Sequence, residues 1–332
     1  MTTPSAQTDR FVHDRLPPRD QWPELRYDLP ELRIADQANL VERLLDGAAA
    51  RGWADRPLLR SPQITFTYAE TRERVDRIAN YLVHELKLEP GNRVLLRGGN
   101  SIGMALSWLA VVKAGLIAVA TMPLLRATEL SKVIDKAQPV AAICDARLLQ
   151  ELEQAQQAFP ALQHVLRFNS PDDPSDLGQL VAHQAATFTA CPTSADDIAL
   201  LAFTSGTTGA PKAVVHTHRD VLAACEAWPR HVLRPVPDDI VTGSPPLAFT
   251  FGLGGLLLFP MWAGASIYYP DANYNPETMV RQMREQGVTT CYTSPTFYRQ
   301  LAPHMKAIGV PSLRTCVSAG EALPDATRQL WK

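Results

Sequence analysis

The chain has 332 residues, of which 46% are hydrophobic and 20% charged, a length that suits about two domains and a mix that excludes a disordered tail, a collagen-like fibre and a multi-span membrane protein. Lys and Arg number 32 against 34 Asp and Glu, for a net charge of -2. That balance gives no electrostatic reason to expect nucleic acid or an anionic membrane as a partner.

Residues 1–40 carry Pro, Arg and Asp around isolated apolar anchors such as Trp22 and Leu25, and they read as an arm lying over a domain surface. They lack the apolar run of a secretory signal. From Leu40 the spacing is helical, residues 64–68 alternate as a strand, and residues 68–86 are helical again with Val75, Ile78, Ala79 and Leu82 on one face. Arg93–Arg97 is a short strand, residues 98–101 form a turn ending in capping residues, and a helix runs from Ile102 to about Gly115. A strand (LIAVATM), a helix over Ala127–Ala137 and a strand (VAAICD) complete a β-α-β-α-β succession, which favours a mainly parallel sheet covered by helices. Residues 104–125 are long enough to cross a membrane. Lys113 at their centre would cost a spanning helix about 2.5–3.5 kcal/mol, and Gly115 and Pro123 interrupt the run, so a buried helix followed by a buried strand is expected.

After Phe168 the stretch NSPDDPSDLG is the most loop-like in the chain and marks a candidate boundary. The expected organisation is an arm (1–40), a first α/β subdomain (41–190) and a second (191–332). In the second, a continuous apolar strand runs from Ile198 into Thr204-Ser205-Gly206-Thr207-Thr208-Gly209-Ala210-Pro211-Lys212, and a β-branched run follows. Two glycines let backbone amides turn toward a ligand, four hydroxyls add donors and Lys212 adds a positive charge, a combination that suits a polyphosphate. The spacing is not that of a Walker loop. Further on, Asn275 and Pro276 read as cap and first position of a helix through Met279, Val280 and Met283, with Gly287 at its end and a strand over residues 288–293. A strand over residues 313–317 leads through SAGEAL into a helix starting at Pro324.

The five cysteines are odd in number, widely spaced and without a CxxC pair, so neither a disulfide framework nor a zinc site is expected and a reducing cytoplasm fits best. His216 and His218 have metal-ligand spacing on a strand, but no second pair accompanies them and no metal site is assigned.

The string Thr204 to Lys212 resembles the phosphate-loop signature of the acyl-adenylate-forming superfamily, which holds acyl-CoA and aryl-CoA synthetases, luciferases and peptide-synthetase adenylation domains. Ser244 to Gly252 (SPPLAFTFG) is similar to the family's second motif, in which an aromatic residue and a glycine border the carboxylate substrate; Phe249 and Gly252 fit, with Thr250 and Phe251 between them. Tyr292 to Tyr298 (YTSPTFY) looks like the strand end and helix start lining the acyl pocket, with Tyr292 and Ser294 as pocket residues. VSAGEALP resembles the adenine-contacting segment, which carries that role to Ala319, Gly320, Glu321 and Ala322.

The resemblance implies the α/β fold of a large N-terminal domain with layered α-β-α subdomains and mainly parallel sheets. It implies ATP with Mg2+, a small-molecule acid and coenzyme A as partners: the carboxylate attacks the α-phosphorus, pyrophosphate leaves, and the thiol then displaces AMP. The family's magnesium-holding acidic residue, its ribose aspartate and the lysine of its small C-terminal domain have no counterpart before Lys332. No catalytic residue and no metal ligand are therefore assigned, and residues 1–332 read as the N-terminal portion of a larger enzyme, largely inactive alone. The opening DRLPPRDQWPEL with LAFTFGLGG and VSAGEALP looks most like the benzoate and 2-aminobenzoate CoA ligase branch. Aromatic crowding by Phe249, Phe251, Tyr292 and Phe297 favours a flat aryl acid over a flexible chain. Another acyl-CoA synthetase, an amino-acid adenylation domain, a non-catalytic nucleotide-binding module and a homodimer stay open.

Overall fold

The computed structural model describes residues 3–204, 211–270 and 275–331; Ser205, Gly206, Thr207, Thr208 and Gly209 of the expected phosphate loop lie outside them. The strands in chain order are β1 (Pro57–Arg60), β2 (Thr65–Thr67), β3 (Arg93–Arg97), β4 (Ile117–Thr121), β5 (Ala141–Asp145), β6 (His164–Phe168), β7 (Ile198–Thr204), β8 (Lys212–Thr217), β9 (Ile240–Gly243), β10 (Ser266–Tyr268), β11 (Thr290–Thr293) and β12 (Thr315–Ser318). They form two six-stranded sheets, ordered β6-β5-β3-β4-β7-β8 and β12-β11-β9-β10-β1-β2. Every pairing is parallel except at the last strand of each order: β8 runs antiparallel to β7, and β2 antiparallel to β1. Each sheet takes strands from both sides of position 190, so a division there follows chain order and not sheet membership.

Parallel strands need both faces covered, and β3 and β5 are buried at every position. The helix Ile102–Lys113 is buried from Met104 to its end, as expected of a helix apolar on all sides. One continuous core joins Leu58 and Leu59 of β1, Val94 and Leu96 of β3, Trp108 of that helix and Val241 of β9, so the sheets share their packing. Lys113 ends the helix inside this core. Its ammonium pairs with Asp76 and, at 2.7 Å, with Asp46, which accounts for the charge that interrupts the apolar run. Among the described residues no helix is long and apolar enough to cross a membrane.

Local signals match several ends. The helix Tyr68–Asn80 starts at a reciprocal Thr67 and Glu70 capping box and continues as a π-helical turn, Tyr81–Glu85. Asn275 caps Pro276–Glu285, and Gly287 takes a positive φ of 67° just past its end. The arm is held differently from the sequence expectation. Trp22 and Leu25 are exposed, while Val12 and Ile34 are buried. Much of the grip is polar: Ser5 and the Ala6 amide donate to Asp197, Gln7 pairs with both backbone groups of Ile198, and Asp9 meets Arg93.

Candidate functional site

Three of the motif segments leave neighbouring parallel strands at the same edge. The chain exits β9 at Gly243 into Ser244–Gly252, β11 at Thr293 into Ser294, and β12 at Ser318 into Ala319. The register aligns Gly243 with Tyr292, and Thr293 with Ser318. Open parallel sheets present ligands beyond the carboxyl ends of their strands, so segments well separated in the chain line one edge.

Each segment is set by local chemistry. Ser294 caps the helix Pro295–Ile308 by accepting from the Phe297 amide at 3.3 Å, with Pro295 at the first position where its missing N–H costs nothing. Gly252 is packed against the loop that precedes it: a Cβ there would lie 2.1 Å from the Pro246 carbonyl oxygen, so the tight return from 245 to 252 requires glycine. Gly320 turns the chain after β12 with φ 93°. Glu321, one residue on, accepts from the hydroxyl of Thr296 at 2.9 Å and from its amide at 3.3 Å.

The expected pocket residues do not all behave alike. Phe251 packs its ring 5.9 Å from that of Tyr292 at 56°, while Phe249 is 42% exposed and Thr250 is exposed beside it. Tyr292 is buried, and its hydroxyl makes no hydrogen bond of ordinary geometry although the Trp228 indole approaches it. Burial pushes this phenol up to about 12, so it stays a neutral donor at physiological pH. Ala319 is half-buried, and Gly320, Glu321 and Ala322 are exposed.

Asn100 was read from sequence only as part of a capping turn, and the structure gives it a second position of interest. Its side-chain amide donates to the Pro245 carbonyl at 2.8 Å and accepts from the Leu247 amide at 2.8 Å. It follows β3, so the carboxyl edge of one sheet is tied to that of the other through the loop before Phe249. No local pattern signals this contact, because its partners are backbone groups 145 and 147 residues away.

At the same end of the first sheet, Thr204 and Lys212 are register partners at the tip of the β7–β8 pair, and both side chains are exposed. His218 is a core group: it is fully buried, its Nδ1 accepts from the Leu40 amide at 3.1 Å, and burial pushes it down to about 3. Among the described residues no group of three His, Cys, Asp or Glu side chains could hold a metal ion.

The family of AMP-binding enzymes matches residues 47–332 of the chain. A benzoate–CoA ligase of Thauera aromatica is 28% identical over 305 residues, covering 91% of this chain and 58% of that protein. An anthranilate–CoA ligase of Pseudomonas aeruginosa is 29% identical over 257 residues, covering 74% and 47%. Among solved structures, the anthranilate CoA ligase AuaEII in complex with anthranoyl-AMP superposes with a TM-score of 0.83 at 27% identity, covering 91% of this chain and 58% of that one. The chain thus spans about half the length of these relatives.

Proposed function

Since the chain belongs to the AMP-binding enzyme family, we propose that it takes part in ATP-dependent activation of an aryl carboxylic acid of the benzoate or 2-aminobenzoate class. On this reading the acid carboxylate attacks the α-phosphorus of ATP, the bond to the β-phosphate breaks, and pyrophosphate leaves with its electron pair. The sulfur of coenzyme A then attacks the acyl carbon and expels AMP.

The observation that carries the reading is the meeting of segments 244–252, 292–294 and 319–322 at one sheet edge, tied by Asn100 to the edge of the other. Such an edge can hold an acid and a nucleotide in attacking geometry, which is most of what this chemistry asks of a protein. Thr204 and Lys212 take the β- and γ-phosphates together with Ser205, Gly206, Thr207, Thr208 and Gly209, because both reacting partners are anionic and need fixed donors around them. The turn Ala319, Gly320, Glu321 and Ala322 lies against the adenine through its backbone. Phe249, Thr250, Phe251, Gly252, Tyr292 and Ser294 border the acid, and the Phe251–Tyr292 ring pair supports a flat occupant. Magnesium comes with the nucleotide.

The test is release of pyrophosphate by the complete protein with a panel of benzoate, 2-aminobenzoate, hydroxybenzoates and fatty acids. Strong stimulation by the aryl acids is expected; a preference for fatty acids, or no acid dependence, removes the assignment.

A further inference from the structure

The carboxylate of the exposed Glu321 meets the first turn of the helix Pro295–Ile308. The helix Pro295–Ile308 has orphan amides in its first turn. Ser294 satisfies that of Phe297, and Glu321 satisfies that of Thr296 while also taking the Thr296 hydroxyl. A negative charge is favoured at this end of a helix. Gly320, with its positive φ, is what returns the chain so that Glu321 faces the helix. Among the described residues no other hydrogen bond joins the turn 319–322 to this helix.

From this juxtaposition we propose that Glu321 is a positioning residue that couples the two substrates: its carboxylate ties the nucleotide turn to the acid-pocket helix, so ATP on one side and aryl acid on the other favour the same docked arrangement. The inference rests on the functional reading above and deepens it, since it takes the Glu321 side chain out of nucleotide contact and leaves the base to the turn's backbone. Coupling of this kind is reciprocal: whatever factor the nucleotide adds to acid affinity, the acid adds to nucleotide affinity.

The experiment measures the affinity of the complete protein for 2-aminobenzoate, by the acid's own fluorescence, with and without α,β-methylene ATP. Hydrogen exchange at the Thr296 amide is followed alongside. The parent protein should bind the acid about fivefold or more tightly in the presence of the nucleotide analogue, with slower exchange at Thr296. Glu321→Ala should bring the ratio near one and speed exchange at Thr296 in both states. Glu321→Gln, which keeps an acceptor, should retain most of the ratio, and Thr296→Val, which keeps the amide, part of it. Circular dichroism serves as the folding control. If Glu321→Ala weakens the nucleotide equally with and without acid and leaves Thr296 exchange unchanged, Glu321 is a nucleotide ligand and the coupling role is wrong. A parent protein that binds both molecules independently also overturns it, whereas one that binds neither overturns the functional reading itself.

Discussion

Asn100 shows how much a single side chain can organise, because its amide makes two hydrogen bonds to the backbone of the loop that leads to Phe249. Asn100→Ala leaves the Pro245 carbonyl and Leu247 amide without these partners and should cost about 1–3 kcal/mol, read as a fall in denaturation midpoint. It should also raise KM for the acid well above any change for ATP. Equal shifts in both constants would deny Asn100 its link to the acid side. Lys212 is a contrasting case, since its side chain is exposed at the tip of the β7–β8 pair. Lys212→Ala should leave the circular dichroism spectrum unchanged and weaken ATP binding about tenfold in titration calorimetry; unchanged affinity and rate would remove it from the phosphate site. Phe249→Ala should raise KM for benzoate-type acids more than for ATP. His218 predicts a pH dependence of the fold. Burial holds its folded value near 3 against an ordinary 6.5, so below about pH 6.5 the unfolded chain takes up a proton that the folded one refuses. Stability should therefore fall progressively from pH 7 toward 4 in chemical denaturation, and less steeply in His218→Asn.

Elements whose signals are local were legible. The helix Ala127–Ala137 and the strand Arg93–Arg97 stand on the expected bounds, because an apolar period and its flanking caps lie within the element itself. The helix Pro276–Glu285 likewise begins at its Asn-Pro pair. Exposed Trp22 and Leu25 were misread as anchors, since an aromatic or leucine in a proline-rich arm carries no period to say which way it faces. Lys113 was legible as an obstacle to a membrane span, but its partners Asp46 and Asp76 were not, being on other elements. Lys113→Met should destabilise the protein by about 3–5 kcal/mol, since it strands a buried carboxylate. A second change, Asp76→Leu, should recover part of that loss in urea denaturation. If the single substitution is neutral, the buried ion group is not what holds this helix end.

At the scale of the whole molecule, the mainly parallel character follows from the alternation of strands and helices, yet the interleaving of the two sheets does not. β1 pairs with β10 across about two hundred residues, and no sequence period reports a partner that distant. The candidate site was readable as four separate strings; that three of them share one sheet edge, and that Asn100 bridges to the other, required the fold. On the proposed function the two substrates meet where Asn100 ties these edges together. A crystal structure of the protein with 2-aminobenzoate and α,β-methylene ATP tests it most directly. The acid carboxylate is expected between residues 244–252 and 292–294, the base against 319–322 and the phosphates at the tip of the β7–β8 pair. Either molecule bound elsewhere, or an acid whose walls are not Phe249, Phe251 and Tyr292, would contradict it.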